Sequence, residues 1–337
     1  MHIWSRSAGI ALGVLVDAVV GDPRRGHPVA LFGRAAAALE RRLYGDARPN
    51  GVAHVAICVG AAAGLGVLAS LAPERVPGGS PTRLGSSKAG PGVVRAVVEV
   101  GLTAAATWAV LGGTTLAREG VHMAEALEAK DIEAARKRLP HLCGRDPRTL
   151  EAPELARATV ESLAENTSDA VVAPLFWGAI AGVPGLLAYR AVNTLDAMVG
   201  HRSPRYERFG WAAARLDDVA NYVPARITGL LAVLAAPDSG RALRVLRRDG
   251  HRHPSPNAGR CEAAFAGALD VTLGGVNVYG SRVEHRPEMG EGPRPEVRDI
   301  RRAVRLTRTV SLAAAAIAVL VPALWPRRAR RSPAPGA

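Results

Sequence analysis

The sequence has few cysteines and few aromatic residues. Its 337 residues include three cysteines, and Phe, Trp and Tyr together make up 4% of the chain. Cys58, Cys143 and Cys261 are too widely spaced for a zinc site of the CxxC kind, and three thiols cannot form a disulfide scaffold. The shortage of aromatic side chains also removes the stacking platforms that hold single-stranded nucleic acid. We therefore expect no nucleic-acid partner, although the formal charge is +13.

Several familiar nucleotide and hydrolase motifs are absent as well. The chain contains no GxxxxGK[ST] loop, no strand-borne GxGxxG, no HExxH and no GxSxG. Only three of the 43 basic residues are lysines, so the arginine bias lowers the weight of any single arginine. Any use of ATP must therefore employ a site of another kind.

Long runs without charge are the most prominent feature that is present. Residues 52–72, 100–117, 170–189 and 309–326 contain no Asp, Glu, Lys or Arg, and 219–236 is apolar apart from Asn221 and Arg226. Each run approaches the roughly 20 residues that a helix needs to cross a bilayer. Soluble core helices usually show a polar face, which these runs lack. The sequence therefore predicts an all-α, polytopic integral membrane protein with about five apolar helices and helical polar loops.

The runs divide the chain without splitting it into separate domains. We predict a single membrane domain over residues 1–326, with a flexible linker at 73–92 inside it, followed by a basic, disordered tail at 327–337. The apolar run 8–20 is interrupted by Asp17 and lacks a cleavage pattern, so we expect it to be retained. The composition predicts a helix over 118–139 and another beginning near Pro153, and no strand is predicted anywhere.

Acidic residues cluster at the start of one apolar run. Glu161, Glu165 and Asp169 are spaced i, i+4, i+8 and therefore share one face of a helix. A solvated acidic face is the alternative interpretation. Asp169, however, adjoins the apolar run, where an ionised group needs a cation or a protein partner.

Further polar residues follow that run. They are Asn193, Asp196, Arg215, Asp217, Asp218, Asn221 and Arg226. Carboxylates bind Mg²⁺ and arginines bind phosphate, so the set is typical of a nucleotide or phosphoester site. The alternative is that Arg215 and Arg226 only neutralise Asp217 and Asp218. Two more clusters contain catalytic residue types, one with Asp17, Asp22 and His27, the other with His253 and Asn257.

Five strings together carry a family resemblance. They are GDPRRGHPV at 21–29, ESLAENTSD at 161–169, AVNTLDAMVGH at 191–201, YERFGWAAARLDDVANYVPAR at 206–226 and HPSPNAG at 253–259. In this order they resemble the adenosylcobinamide-phosphate synthase family of cobalamin biosynthesis, called CobD or CbiB. The resemblance extends from about Asp17 to about Leu324. The linker at 73–92 and the pair Arg260 and Cys261 depart from the family's pattern.

The resemblance implies a multi-pass enzyme of the inner cell membrane. It implies that aminopropanol or its phosphate is joined to the free propionate carboxylate of adenosylcobyric acid, with ATP driving amide formation and Mg²⁺ accompanying the ATP. The implied partners are these two substrates and the lipid bilayer. Later enzymes of the cobalamin pathway are the candidate protein partners.

Roles within this reaction are our hypothesis from residue type. We assign Glu165, Asp169, Asp217 and Asp218 as catalytic groups that ligate Mg²⁺, Arg215 and Arg226 as stabilisers of phosphoryl charge, and His27 or His253 as the base. Asp22, Asn166, Asn193, Asp196, Asn221 and Asn257 complete the substrate-binding set.

Membrane topology constrains this hypothesis. The tail arginines 327, 328, 330 and 331 predict a cytoplasmic C-terminus. If every apolar run crossed fully, ESLAENTSD and AVNTLDAMVGH would lie on opposite sides. We therefore predict that 170–189, which contains Pro174 and Pro184, or 219–236 is re-entrant or lines a polar cavity.

Two other functions fit parts of the pattern. A Mg²⁺-dependent membrane transferase using a pyrophosphate-linked lipid donor would need acidic residues beside apolar helices, but its repeated DxxxD spacing is missing. A transporter or non-catalytic membrane scaffold would explain intramembrane charge. It leaves the acidic and Asn-rich strings without a purpose.

Overall fold

A computed structural model describes residues 3–23, 26–75, 91–201, 203–279 and 282–324. Within these ranges the chain is almost entirely helical, which confirms the all-α prediction. The helices are α1 (Ile3–Val20), α2 (Pro28–Leu43), α3 (Arg48–Leu71), α4 (Pro91–Val110), α5 (Gly113–Glu128), α6 (Ile132–Arg138), α7 (Ala152–Thr167), α8 (Ala173–Leu195), α9 (Trp211–Ala220), α10 (Tyr222–Ala235), α11 (Ser239–Asp249), α12 (Ala258–Leu269) and α13 (Val297–Leu324). One antiparallel hairpin, β1 (Leu273–Tyr279) and β2 (Arg282–Met289), was not predicted.

In the described part of the chain, four helical segments are long and apolar enough to cross a membrane. They are Arg48–Glu74, Gly92–Glu128, Ala152–Gly200 and Val297–Val321. This number is close to the predicted five. The run at 219–236 forms α10, whose 14 residues are too few to span the hydrocarbon core. The linker prediction falls mainly on 76–90, and it lies outside the described residues, as does the tail at 327–337.

The helix predicted to begin near Pro153 is α7, and a capping box explains its start. Glu151 precedes the helix, and its backbone N–H donates to Glu154 Oε2 over 2.8 Å. The helix predicted over 118–139 was wrong as a single element. Lys130, with φ of 59°, separates α5 from α6, and Asp131 then caps α6.

The chain reverses its direction inside α8. Gly182 has φ of 66° and ψ of −147°, a conformation that is essentially restricted to glycine. A Cβ on Gly185 would lie 2.3 Å from the carbonyl oxygen of Trp177, and a Cβ on Gly178 would lie 2.8 Å from a methyl group of Leu186. The two halves of α8 therefore pack as antiparallel arms of a helical hairpin. A chain that reverses in this way has the geometry that a re-entrant segment at 170–189 requires.

Contacts along the bundle fix which helix ends lie together. At the turn of the helical hairpin, Arg6 donates to the carbonyls of Ala179 and Ile180, each over 3.1 Å. Ser7, which like Arg6 belongs to α1, donates to the carbonyl of Val319 over 2.7 Å. The start of α1, the end of α13 and the hairpin turn therefore share one end of the bundle. We call it the turn end.

The opposite end is marked by a contact between α7 and α13. Thr167 Oγ1 donates to Thr307 Oγ1 over 2.9 Å. Helices α5, α6, α7 and α12 and the start of α13 extend beyond this level and form the main hydrophobic core, in which Met123, Leu155 and Phe265 are completely buried. We call this end the site end, because the polar cluster described below lies there.

The unpredicted β-hairpin is held by side chains of α7. Arg157 donates to the carbonyls of Gly274 and Val276 over 2.8 and 2.7 Å, and Glu161 Oε1 accepts from the N–H of Gly274 over 2.7 Å. These two side chains satisfy the strand's backbone groups from a helix more than 110 residues earlier in the chain. The strands pair antiparallel, with Asn277 opposite Glu284.

Candidate active site

A small, partly open cavity lies at the site end of the bundle. Its polar lining is Glu165, Ser168, Asp169, Asp217, Asn221, Ser255 and Asn257. These residues come from α7, the π-helical turn Ser168–Val172, α9, the α9–α10 junction and the segment before α12. The fold thus brings together carboxylates and amides that are as much as 92 positions apart in the sequence.

The helical hairpin places Asn193 beside Asp169. Asn193 Nδ2 donates to Asp169 Oδ2 over 3.3 Å, across the two arms. Tyr189, one turn earlier, donates from its hydroxyl to Asn221 Oδ1 over 2.9 Å. Asn221 Nδ2 in turn donates to Asp217 Oδ2 over 3.0 Å. The amides therefore hold the two carboxylates in place, and they supply hydrogen bonds that partly offset the proximity of like charges.

Asp217 is the carboxylate whose environment is best defined outside the membrane segments. Burial raises its pKa to about 6, against the opposing effect of hydrogen bonds from Asn221 and Asn193, with the charges of Asp218 and Glu165 adding to the increase. Its Oδ1 atom is buried, and no described residue forms a hydrogen bond with it. A buried carboxylate oxygen without a donor indicates a position that a cation or a ligand group completes.

Asp218, which was predicted to share this role, lies at the rim instead. It is absent from the cavity lining, and its carboxylate is 3.5 Å from Arg215 Nη1. Its side chain remains 31% exposed. Its backbone carbonyl accepts from Asn257 Nδ2 over 2.8 Å and so helps to orient that amide. The alternative that Arg215 neutralises a carboxylate thus applies to Asp218 and not to Asp217.

Arg226 and Asn257 meet at another part of the rim. Arg226 Nη1 donates to Asn257 Oδ1 over 3.4 Å and to the carbonyl of Tyr222 over 2.6 Å. The guanidinium also lies over the Tyr222 ring, 3.4 Å from its centroid. Arg226 is therefore held by its own helix beside the cavity and does not pair with Asp217 or Asp218.

Two predicted binding residues have different positions. Asp196 begins the second π-helical turn, Asp196–Gly200, and is close enough to feel the charges of Asp217 and Asp218. Asn166 points away from the cavity, because its Nδ2 atom donates to Ser162 Oγ and to the Ser162 carbonyl, each over 2.9 Å. The structure therefore brings Asp196 to the site and leaves Asn166 outside it.

Neither predicted histidine is free to act as a base. His27 precedes α2, where Nδ1 accepts from the N–H of Val29 over 3.1 Å, and Nε2 lies 3.5 Å from Asp22 Oδ1. His253 Nδ1 accepts from the N–H of Ser255 over 3.0 Å, and Nε2 contacts Arg286. Burial and then the charge of Arg286 lower the pKa of His253 to about 4.

A buried layer of charge behind the cavity was not found from the sequence. Glu161 pairs with Arg145 and Arg157, and Glu262 Oε1 lies 3.7 Å from His253 Nε2. Burial, followed by the charges of Glu161 and Glu165, raises the pKa of Glu262 well above its usual value. Only the spacing of Glu161 hinted at this layer, since its partners lie on distant elements.

Two further residues near the cavity were also missed. Tyr189 and Arg190 stand at the end of the 170–189 run, and Arg190 Nη1 donates to Asn193 Oδ1 over 3.4 Å. The charges of Asp22 and Asp169 both act on this guanidinium. Arg190 thus connects the cavity with the Asp22 and His27 cluster. An arginine directly after an apolar run is the signal that could have identified it.

The acidic residues do not form a closed metal site. Among the described residues, no three His, Cys, Asp or Glu side chains are arranged so that they could hold an ion. The predicted four-carboxylate set of Glu165, Asp169, Asp217 and Asp218 is thus not preassembled. Oxygen donors nevertheless predominate in the cavity, which fits Mg²⁺, an ion that keeps several waters and takes one or two carboxylates together with substrate phosphates.

Comparison with known proteins identifies relatives over nearly the whole chain. The family model described as "CobD/Cbib protein" matches residues 10–307. The Mycobacterium tuberculosis "Cobalamin biosynthesis protein CobD" is 54% identical, covering 94% of this chain and 96% of the relative. Proteins with the same description from Geobacter metallireducens and Rhodobacter capsulatus are 43% and 40% identical, covering 86% and 95% of this chain and 87% and 98% of theirs.

No solved structure matches the chain. The assignment therefore depends on the sequence comparisons, and three of the five strings supply residues that line the cavity. The family model covers the segments that supply every polar residue of the cavity lining. The chain is a member of the CobD/CbiB family of cobalamin biosynthesis proteins.

Proposed function

We propose that the protein joins aminopropanol or its phosphate to the free propionate carboxylate of adenosylcobyric acid in an ATP-dependent reaction. The convergence of Asp169, Asp217, Asn193 and Asn221 on one cavity at the membrane border is the observation that supports this proposal. Membership of a cobalamin biosynthesis family favours this reaction over a lipid-linked transferase or a transporter.

The reaction has two bond-forming steps. The propionate oxygen takes the γ-phosphoryl group of ATP, which gives an acyl phosphate and ADP. The amine nitrogen then forms a C–N bond with the acyl carbon, while the C–O bond to phosphate breaks and the nitrogen loses a proton. The products are the amide, ADP and inorganic phosphate. Both steps bring several negative charges into one place, so the site must balance charge and hold groups in line.

Residues of this chain can divide that task. Arg226 at the rim can bind phosphate oxygens of ATP, a role that was predicted for Arg215 as well. Asn193, Asn221 and Asn257 fix the carboxylates and can orient substrate amides. The proton from the amine is assigned to a cavity carboxylate, since both histidines have their ring nitrogens engaged.

The cavity chemistry also fits the expected Mg²⁺. Asp169 and Asp217 would hold the ion together with waters and the phosphates of ATP. Mg²⁺ would neutralise phosphate charge and polarise the transferred phosphoryl group. Without a cation, the phosphates of ATP and the propionate would each be repelled by this lining. The residues alone therefore exclude anions from the cavity, and we expect a strict requirement for a divalent cation.

We further propose that the site end faces the cytoplasm, where ATP is available. Exposed or partly exposed arginines are numerous there, including Arg34, Arg41, Arg42, Arg48, Arg205, Arg208, Arg215 and Arg226. Such an excess is typical of the cytoplasmic side. Because α13 runs from the site end to the turn end, its last turn then lies at the opposite face. This orientation replaces the cytoplasmic C-terminus predicted from the four tail arginines.

The reaction can be tested directly with purified full-length protein in lipid nanodiscs. Adenosylcobyric acid, aminopropanol or its phosphate, ATP and Mg²⁺ are supplied, and the corrinoid mass is measured. We expect the mass of the amide, and we expect none when ATP or Mg²⁺ is left out. Unchanged adenosylcobyric acid in the complete mixture would refute the proposed function.

The orientation can be tested with alkaline phosphatase fused after Ala337, because alkaline phosphatase is active only outside the cytoplasm. We expect an active fusion, and an inactive one would contradict the proposed orientation.

A further inference from the structure

A second polar cluster lies where α1 ends and α5 begins. It consists of Asp17, Asp22, Thr114, Arg118 and Arg190, and we call it the rim cluster. Asp17 Oδ2 accepts from both the N–H and the hydroxyl of Thr114, over 3.2 and 3.0 Å. The charges of Asp22 and Arg118 both act on Asp17, and Arg190 feels the charge of Asp22. The five side chains therefore form one neighbourhood.

Three buried atoms in this cluster have no hydrogen-bond partner among the residues that the structure describes. They are Asp17 Oδ1, Asp22 Oδ1 and Arg190 Nε. Asp17 is only 6% exposed, and the donor paired with Asp22 Oδ1, His27 Nε2, is 3.5 Å away. Burying a polar atom without a hydrogen-bond partner lowers the stability of the folded protein. Two carboxylate oxygens and one guanidinium nitrogen are thus positioned for a ligand that both donates and accepts.

The cluster is open to solvent and adjacent to the cavity. Arg118 is exposed, and its Nη1 atom lies 2.7 Å from where a Cβ on Gly21 would be. The side chain of Asp22 is 28% exposed. On the inner side, the N–H of Gly112 donates to the carbonyl of Ala170 over 3.1 Å, next to Asp169. The rim cluster and the carboxylate cavity therefore lie on neighbouring elements, which this backbone contact joins.

We propose that the rim cluster binds the amine substrate, a proposal that rests on the function proposed above. A primary ammonium has three N–H donors, which match the unpartnered oxygens of Asp17 and Asp22. The guanidiniums of Arg118 and Arg190 would bind a phosphate on the other end of the molecule. A cluster of two carboxylates and two guanidiniums suits a small zwitterion, so we expect the site to prefer the phosphorylated amino alcohol.

The placement also gives the cluster a function during the reaction. Arg190 contacts Asn193, which contacts Asp169, so the amine would wait beside the site of acyl activation. After the ammonium gives one proton to Asp17 or Asp22, the neutral nitrogen can attack the acyl carbon, which releases phosphate, and the second proton goes to a cavity carboxylate. Positioning of this kind accounts for a large part of the rate in two-substrate reactions.

Steady-state kinetics with three substitutions test the proposal. Purified Asp17→Asn, Asp22→Asn and Arg118→Gln are assayed with aminopropanol, with its phosphate, and with varied corrinoid. We expect both Asp variants to raise the KM for either amine by about tenfold or more, with the KM for corrinoid changed less than about twofold. Arg118→Gln should raise the KM for the phosphorylated amine alone. Asp46→Asn, an exposed carboxylate 3.9 Å from Arg208, is the matched control.

The outcomes separate this inference from the proposed function. If the wild-type protein forms amide but Asp22→Asn keeps a normal amine KM, the rim cluster is not the amine site. Equal effects of Arg118→Gln on both amines would remove the phosphate assignment. If the wild-type protein forms no amide, the proposed function itself fails. Isothermal calorimetry with aminopropanol phosphate alone, without ATP or corrinoid, then measures the binding affinity of the wild-type protein and of Asp22→Asn. The side chain of Asp22 is partly exposed, so we expect the protein to tolerate this substitution.

Discussion

Asp169 and Asn193 are joined by a hydrogen bond of 3.3 Å between the two arms of the helical hairpin in α8. The bond exists because the chain reverses at Gly182 and returns to its starting level. It connects two strings, ESLAENTSD and AVNTLDAMVGH, that a fully spanning helix would separate by the thickness of the bilayer. The catalytic proposal depends on this reversal, and the following predictions test it and its surroundings.

Gly182 is the first position to test. Gly182→Ala introduces a Cβ at φ of 66° and ψ of −147°, which should cost about 1–3 kcal/mol of stability and separate Asn193 from Asp169. Thermal unfolding in detergent and the amide assay should both decline. Gly60→Ala is the control, because no atom lies within 4 Å of its new Cβ and alanine favours the helix. Equal behaviour of the two variants would contradict the reversal at Gly182.

Asp217 and Asp218 are neighbours with different surroundings. Asp217 lines the cavity with an unpartnered Oδ1, whereas Asp218 faces Arg215 at the rim. Asp217→Asn should therefore reduce kcat by about 100-fold or more, and Asp218→Asn by less than about tenfold. Since both variants remove one charge from the same helix, each controls for the other. A larger loss in Asp218→Asn would reverse the assignment.

Removing one charge from the cavity should stabilise the protein while it abolishes activity. Asp169 lies near the charges of Glu165, Asp196 and Asp217. Asp169→Asn relieves this repulsion, and we expect a gain of about 0.5–2 kcal/mol in the absence of Mg²⁺. Differential scanning fluorimetry with and without Mg²⁺ measures the gain. A destabilised variant would show that the carboxylate is needed for folding and not reserved for a ligand.

The buried pairs behind the cavity should behave in the opposite way. Glu161 accepts from Arg157 and from the N–H of Gly274, and it also contacts Arg145. Glu161→Ala should destabilise the protein by about 3–5 kcal/mol, because two guanidiniums and a strand N–H lose this carboxylate. Glu133→Ala, at an exposed ion pair, should have little effect. Similar unfolding temperatures for the two variants would contradict the docking of β1 on α7.

His253 predicts a pH dependence of stability. Its pKa is about 4 in the folded state against 6.5 when unfolded, so the unfolded chain binds the extra proton between these values. Stability should therefore rise with pH from about 4 to about 6.5, by at most about 1.4 kcal/mol per pH unit. Arg286, Glu262, Glu161 and Glu284 surround the imidazole. The difference between wild-type and His253→Gln unfolding curves isolates this contribution, and parallel curves would contradict it.

Local chemistry predicted much of this architecture. The charge-free run at 52–72 lies in α3, as predicted. The prediction was possible because the length and apolar composition of a membrane helix are properties of its own residues. Asp169 and Asp217 were predicted as site residues from their position beside apolar runs. Their partners Tyr189 and Arg190 were not, because these approach the cavity only after the chain reverses. The spacing of residues along the sequence does not show contacts that form only after the chain reverses.

The remaining errors have the same origin. The hairpin of β1 and β2 was missed because its backbone groups are satisfied by Arg157 and Glu161, far away in the sequence. Asp217 and Asp218 differ only by which side of α9 meets the cavity, and a linear pattern cannot distinguish them. Asn166 shares a string with Glu165 but turns toward Ser162.

The turn at Gly182 also determines where the proposed reaction would take place. About 18 Å of helix leads from Ala170 to the turn, and the second arm returns over the same distance, so the proposed chemistry would stay at one surface of the membrane. A water-soluble corrinoid could thus dock, react and depart without entering lipid. Because the protein is held in the membrane, the reaction of a soluble substrate would then take place at the membrane surface. The protein and a membrane-bound enzyme of the next step would meet by lateral diffusion in two dimensions.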